Sequence, residues 1–319
     1  MRAPIRRPAR LRGEIWGVST YFNPAGYTNK TENLRLFAKN VRRQNLKLLI
    51  VELAFKDSPF EFEPELADKI IRIRSDSVLW QKERLLNLAI QNLPDTCDAV
   101  VCLDADILFE NDDWVNETVG LLEEYVVVQP FDVACWLPPN VRSLPRDRGP
   151  NEPCDPILTM PGAAYGQIHQ LGDAHPGFAW ASRRALLQVH GLYDRFIVGG
   201  GDLLFTLAIS GHSELEGVNI WLRDYCSDAH AADVLKWASA LYADVKGSVF
   251  YTKGSVFHLW HGNSENRSYS NRYQILKDAD FDPHADICLN QYGCWEWNNN
   301  KQDLQRRVRD YFWARREQV

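Results

Sequence analysis

Apolar runs alternate with amphipathic segments from residue 14 to residue 103, and this alternation constrains the fold more than any other feature of the chain. EIWGVSTYF (14–22) reads as a strand that ends in the loop FNPAGYTNK. TENLRLFAKNVRRQ follows with helical spacing and sets Leu34, Phe37 and Val41 on one face. LKLLIVELAF reads as a buried strand, KIIRIRSD as a shorter one, and DAVVCLDAD as the next. Between the last two, SVLWQKERLLNLAIQNL is expected to be a helix capped by Ser77. Strand–helix–strand order implies parallel neighbours and right-handed crossovers, hence an open, mostly parallel α/β sheet flanked by helices. With 319 residues, 45% of them hydrophobic, the chain can bury the core of one large domain.

The pattern loosens past residue 128. QPFDVACWLPPNVRSLPRDRGPNEPCDP is rich in Pro, Arg and Asp and reads as a long loop, 129–160, poised to close over a ligand. HPGFAWASRRALLQVHGLYDRF restores order, GGGDLLFTLAISG is a glycine turn entering a helix, and HAADVLKWASALYADV is another helix. KGSVFYTKGSVFHLWHGN holds two short β-like runs. The expected organisation is a basic arm at 1–13, one domain at 14–275, and a helical and irregular C-terminal extension at 276–319 packed on it. FDPHAD and the WEW cluster in that extension read as a compact cap.

Formal charge is -6, which argues against nonspecific nucleic-acid binding. Basic residues concentrate in MRAPIRRPARLRG and RRVRDYFWARR, which read as a solvated tail and a surface helix, or as a peripheral contact with anionic lipid or a polyanionic acceptor. No stretch is long and apolar enough to predict a spanning helix, and the start lacks the apolar core of a signal peptide, so the expected compartment is the cytoplasm. Seven cysteines, Cys154 among them, form no C-x-x-C pair and read mostly as buried thiols. Sequons at Asn29, Asn116 and Asn266 bear only on a secreted chain.

AVVCLDADILF carries the chemistry. An apolar run stops at Asp104, and Asp106 follows with one small residue between. Ligands of open α/β sheets collect beyond the carboxyl ends of the strands. Residues i and i+2 of an extended segment share a side, so the two carboxylates can converge, and a divalent cation relieves their repulsion. Oxygen ligands of this kind suit Mg2+ or Mn2+. An aspartate at a strand end also turns the chain or caps a helix; the buried runs on both sides favour the functional reading. Two more segments fit. IVGGGDLLF places Asp202 at a glycine-lined turn, as an N-cap or as a base for an incoming hydroxyl. HLWHG offers His258 and His261, imidazoles suited to Mn2+ or Zn2+.

Together these segments resemble the GT-A fold glycosyltransferases, nucleotide-sugar enzymes with an Asp-x-Asp metal site, and in particular the β-1,4-galactosyltransferase-like and family 2-like enzymes. The resemblance runs from about residue 14 to residue 275. FNP follows the first strand, where the family begins its nucleotide pocket, which assigns Tyr21, Phe22 and Asn23 to the donor. WQKERLLN is similar to a helix that supplies a basic residue and an asparagine near the nucleotide, here Lys82 and Asn87. The segment from His175 to Phe205 is similar to the family's glycine-aromatic pair, following helix and glycine-rich acidic motif, and assigns Gly200 and Gly201 to the donor. The resemblance further implies that Asp106 binds the metal, with His258 or His261 completing the protein ligands, that Asp104 contacts the ribose or sugar, and that Glu52 contacts the base or diphosphate. Asp202 would be the general base of an inverting transfer. The family usually has adjacent Glu and Asp after the glycines, and Gly199-Gly200-Gly201-Asp202 carries one acid.

Sugars pack their C–H faces on aromatic rings. Trp136, Trp180, Trp260 and Tyr165 lie in or beside the predicted loops, and Trp180 and Trp260 are favoured for the acceptor because they flank the motifs. Arg267, Tyr269 and Arg272 either bind diphosphate or begin a helix packed on the sheet. The resulting expectation is a Mn2+- or Mg2+-dependent transferase moving a sugar from a nucleotide donor, by default UDP, to a glycan or glycoconjugate. The alternatives are a catalytically silent sugar- or nucleotide-binding module on the same fold and a metal-dependent phosphohydrolase.

Overall fold

The structure is a computed structural model that describes residues 10–149, 155–166, 174–211, 216–267, 271–298 and 300–318. Most of the basic arm, Cys154 and Tyr269 lie outside the described residues.

The first half folds as the alternation dictates. Strands β1 (Glu14–Phe22), β2 (Lys47–Phe55), β3 (Lys69–Ser75) and β4 (Cys97–Leu103) are joined through helices Thr28–Arg43 and Lys82–Gln91. The short strands that follow are β5 (Ile107–Phe109), β6 (Val127–Gln129), β7 (Val133–Trp136), β8 (Leu158–Pro161), β9 (Ala179–Arg183), β10 (Val249–Tyr251), β11 (Ser255–His258), β12 (Ile287–Leu289) and β13 (Trp295–Trp297). The central sheet has the order β10-β6-β9-β4-β1-β2-β3. Neighbours run parallel from β4 to β3 and between β6 and β10, while β9 runs antiparallel to both β4 and β6. This is a mixed α/β fold with a mostly parallel central sheet flanked by helices.

Strand periodicity explains why both faces are covered. Leu49, Val51 and Leu53 pack into one core with Leu85, Leu86, Ala89 and Ile90 of the helix Lys82–Gln91. Leu48 and Ile50 point the other way and pack with Leu34, Phe37 and Val41 of the helix Thr28–Arg43. The C-terminal extension belongs to the first core. Its helix Gln302–Ala314 buries Leu304, Val308, Tyr311 and Phe312, an i, i+4, i+7, i+8 stripe. The expected solvated surface helix is therefore half right: Arg306 and Arg309 face solvent, and the apolar stripe is core.

Two expectations on local structure are corrected. The second connecting helix starts at Lys82 rather than at Ser77, with Gln81 at its N-cap. Ser77 sits in the bend after β3, where its hydroxyl accepts a hydrogen bond from the Trp297 amide at 3.3 Å. Residues 129–160 are not one open loop. They hold β7, a 3-10 turn at Pro145–Asp147 and the start of β8, and β7 and β8 belong to a second sheet of order β5-β11-β7-β8. Their apolar residues Ala134, Cys135 and Leu137 are buried. The proline-rich composition hid a strand too short to show alternation.

The second sheet sits where β4 ends. β11 runs antiparallel to β5 in a register that pairs His258 with Ile107, and the Leu259 amide donates to the Asp106 carbonyl at 2.8 Å. The chain thus leaves the central sheet at Leu103, turns through Asp104 and Asp106, and enters the second sheet beside the histidines.

Candidate active site

Asp104 and Asp106 do not converge on one point. The strand has ended by Leu103, so the i and i+2 rule for extended chain no longer holds, and the two carboxylates serve different clusters.

Asp106 faces the histidines. Its Oδ2 lies 3.1 Å from His261 Nε2 and 3.7 Å from His258 Nε2, and the two Nε2 atoms are 2.9 Å apart. One ligand atom from each residue falls within 4.8 Å of the others. Burial pushes His261 down to about 3 and His258 well below the ordinary imidazole range, so both rings are neutral, the form that ligates a metal. Burial and the neighbouring Asp104 charge push Asp106 up to about 7. Its Oδ1 is buried with no hydrogen-bond partner. An orphaned carboxylate oxygen beside two imidazole lone pairs is costly without a cation, and the donor set of one oxygen and two nitrogens fits Mn2+. The His258 ring stacks on Phe178, centroids 4.9 Å apart at 10°.

Asp104 belongs to a second cluster. Lys82 Nζ sits 2.5 Å from Asp104 Oδ1 and 2.9 and 2.8 Å from the two oxygens of Asp202. Burial alone would lower the Lys82 pKa, but the two aspartates more than offset it and hold it well above the usual value. Burial raises Asp104 to about 6 despite the lysine. Lys82 therefore bridges the carboxyl end of β4 to the start of the helix Gly201–Ile209. Lys82, Asp104, Asp202 and Trp180 line a small cavity of about 20 Å³.

The glycine turn explains the single acid after it. Gly200 adopts φ +114° against the Tyr273 hydroxyl, a conformation and a contact open only to glycine. A Cβ on Gly201 would fall 2.3 Å from Glu83 Oε1. Glu83, from the helix Lys82–Gln91, thus fills the space that a side chain at 201 would take. It is 4% exposed, its carboxylate accepts from Trp80 Nε1 at 3.1 Å, and burial pushes it up to about 8.

This shift has a measurable consequence. Glu83 binds its proton more tightly in the folded state than its ordinary value of 4.5, so between about pH 4.5 and 8 the folded state holds more protons than the unfolded one. Stability is expected to fall as pH rises through that window, by up to about 1.4 kcal/mol per pH unit from this group. Glu83→Gln removes the component, so the urea midpoints of variant and wild type should diverge as pH rises. Parallel profiles would contradict the assignment.

The other residues assigned from sequence divide. Tyr21 and Phe22 end β1, and Asn23 follows it. The Tyr21 hydroxyl bonds Thr31 at 2.7 Å and Glu61 at 2.5 Å, and Asn23 pins the turn through the Tyr27 amide and carbonyl. Phe22 stands edge-on to Trp80. The buried Glu52 carboxylate accepts from the Glu61 and Phe62 amides and from Arg72, and so anchors the segment after β2. The Asn87 amide bonds Leu192 and Asp194. Trp180 is no exposed platform. It is buried in β9 with Nε1 bonded to the Pro176 carbonyl. Trp260 is half-buried between the two histidines. Trp136 stands edge-on to His175 at 4.8 Å and lies 6.2 Å from His258, a place at the site that sequence gave to Trp180. Arg272 is packed, bonding the Tyr273 and Tyr311 hydroxyls, while Arg267 donates to His261 Nε2 at 2.6 Å.

Three residues escaped the sequence reading: Glu83, Glu317 and His175. His175 Nε2 is buried with no hydrogen-bond partner, and it and Asp202 Oδ2 lie 3.2 and 3.1 Å from the point where a Cβ on Gly177 would stand. Its place in HPGFAW, next to Pro176 and Gly177, was the available signal.

No protein-family model and no curated protein matches the chain. Several solved structures are similar in part. The catalytic domain of Drosophila β1,4-galactosyltransferase 7 in complex with xylobiose is 14% identical over 61% of this chain and 60% of that one, with a TM-score of 0.31. S. aureus TarS 1-349 in complex with UDP-GlcNAc is 13% identical over 61% and 52%, with a TM-score of 0.37. Glucosyl-3-phosphoglycerate synthase from Mycobacterium tuberculosis, in complex with Mn2+, UDP and phosphoglyceric acid, is 13% identical over 87% and 83%, with a TM-score of 0.39. The chain spans about three fifths of the first of these chains and about half of the second.

Proposed function

We propose that the chain is a GT-A fold glycosyltransferase that moves a hexosyl group from a nucleotide-sugar donor, a UDP-sugar, to a hydroxyl of a glycan or glycoconjugate, with inversion. The observation that carries this reading is the meeting of Asp106, His258 and His261 beyond the carboxyl end of β4. Asp106, His258 and His261 would hold a divalent cation, Mn2+ or Mg2+, which would supply Lewis-acid assistance to the departure of a diphosphate, worth several kcal/mol.

The chain's own residues supply the rest. Asp202 accepts the proton of the acceptor hydroxyl as that oxygen bonds the anomeric carbon, while the bond to the diphosphate breaks and takes the electron pair with it. Lys82 holds Asp202 and Asp104 in fixed relation. Arg267, which donates to His261 Nε2, would turn to a phosphate when a cation takes that nitrogen. Trp136 and Trp260, both half-buried, would pack against sugar.

Location belongs to the same proposal. Among the described residues no helix is long and apolar enough to cross a membrane. Five of the cysteines are buried free thiols, in keeping with a reducing compartment, the cytoplasm. The exposed arginines of the C-terminal helix leave a peripheral contact with anionic lipid open to the same protein.

One observation favours a second reading. Lys82 engages both oxygens of Asp202, the arrangement of a carboxylate retired from base catalysis in a sugar- or nucleotide-binding module. A panel of nucleotide sugars with and without Mn2+ separates the two. The transferase reading expects one donor to raise the melting temperature in Mn2+, since a ligand at 100 times its Kd adds about 2.7 kcal/mol, and to release its nucleoside diphosphate. Stabilisation without release from any donor would establish the binding module.

A further inference from the structure

We propose that Glu317, in the tail after the last helix, is a positioning residue of the metal centre: its carboxylate holds His261 with Nε2 turned toward Asp106. The inference rests on the metal site of the proposed function and adds to it a residue far away in sequence.

Glu317 is 1% exposed. A carboxylate buried to that degree needs several partners. Arg315 supplies one through Nε at 2.5 Å, and Lys30 approaches the other oxygen at 3.7 Å. The third is His261 Nδ1, 3.2 Å from Glu317 Oε1. A carboxylate only accepts, and the Arg267 guanidinium, which only donates, bonds Nε2 at 2.6 Å, so Nδ1 carries the hydrogen and Nε2 the lone pair. Nε2 is the atom that faces Asp106 and His258. Histidine ligands of metals commonly donate the other ring N–H to a carboxylate, which fixes tautomer and orientation and raises basicity.

The backbone is built for this contact. Gly262, next to His261, has φ +103°, and a Cβ there would lie 3.1 to 3.2 Å from the carbonyls of Arg315 and Arg316 and from Glu317 Cα. Loop and tail therefore touch main chain to main chain. The end of the last helix and the tail are also held by the segment after β1 and by Trp80. The Tyr27 hydroxyl donates to the Phe312 and Trp313 carbonyls, Gln318 donates to Thr28, and the Arg315 guanidinium lies over the Trp80 ring at 5.1 Å. A tail that only closed the core would not need its carboxylate aimed at the imidazole of a ligand.

The test is calorimetric titration of the full chain with Mn2+ alone. Glu317→Gln is expected to weaken Mn2+ binding 10- to 100-fold, and Glu317→Asp to recover part of the loss. A folded Glu317→Gln protein with wild-type Mn2+ affinity overturns the inference and leaves the proposed function standing. A wild type that binds neither Mn2+ nor Mg2+ overturns both. Nitrogen-15 NMR of the metal-free wild type, with His261 assigned by loss of its signals in His261→Gln, needs no folded Glu317 variant. The Nδ1–H tautomer is expected, and an Nε2–H tautomer overturns the inference.

Discussion

Asp106→Ala is expected to abolish metal-dependent nucleotide binding while leaving the fold intact. Asp106 is the only carboxylate among the three converging residues, so its loss removes the one anionic ligand and leaves two neutral imidazoles. Loss of an outer partner of a metal ligand already costs 10- to 100-fold in affinity, so loss of the ligand itself should weaken Mn2+ binding by more than ~100-fold. UDP affinity in Mn2+ should fall to its value in chelator. The fold should not suffer, because burial already disfavours the charge of Asp106 and its Oδ1 has no partner to lose. Titration calorimetry with Mn2+ and UDP, beside a melting curve, checks both parts. Unchanged Mn2+ and UDP affinity would remove the metal assignment. Asp104→Ala makes a sharp comparison: Asp104 lies in the Lys82 cluster, so Mn2+ affinity should change far less.

Asp202→Asn is the second large effect. Asparagine keeps the shape of the side chain but cannot take a proton from a hydroxyl, and a well-placed general base contributes on the order of 10²–10⁴-fold. Transfer should slow by that factor at saturating substrate, with the KM for donor unchanged because Asp202 stands apart from the metal-facing atoms. The asparagine oxygen can still accept from Lys82, which also keeps Asp104, so the helix junction should survive. Transfer at near wild-type rate would mean that another group is the base. His175, whose buried Nε2 lies near the same point as Asp202 Oδ2, is then the first residue to test.

Sequence patterning carried the fold further than the site. β1 spans Glu14–Phe22, the run read as a strand, and the helix Thr28–Arg43 buries Leu34, Phe37 and Val41. Long periodic segments are legible because burial repeats along them. β7 and β8 were not, since four residues among prolines show no period. The nearness of Asp106 to the two histidines was suggested by three motifs, but the register that creates it, His258 opposite Ile107, is a tertiary fact. The surroundings of Glu52 were hidden for a related reason. Its place at the end of β2 matched a ligand position, while the amides it binds lie 9 and 10 residues on and fold back to it. Gly201 gave no hint of Glu83, and nothing near Glu317 in sequence points to His261. Contacts between distant segments set all three, and one sequence holds no trace of them.

Crystals of the full chain grown or soaked with Mn2+ and UDP, measured at the manganese absorption edge, put the whole account to the most direct trial. It predicts an anomalous peak within bonding distance of Asp106 Oδ, His258 Nε2 and His261 Nε2, with diphosphate oxygens completing the shell. A peak elsewhere, or UDP bound with no metal between it and these three residues, would contradict it.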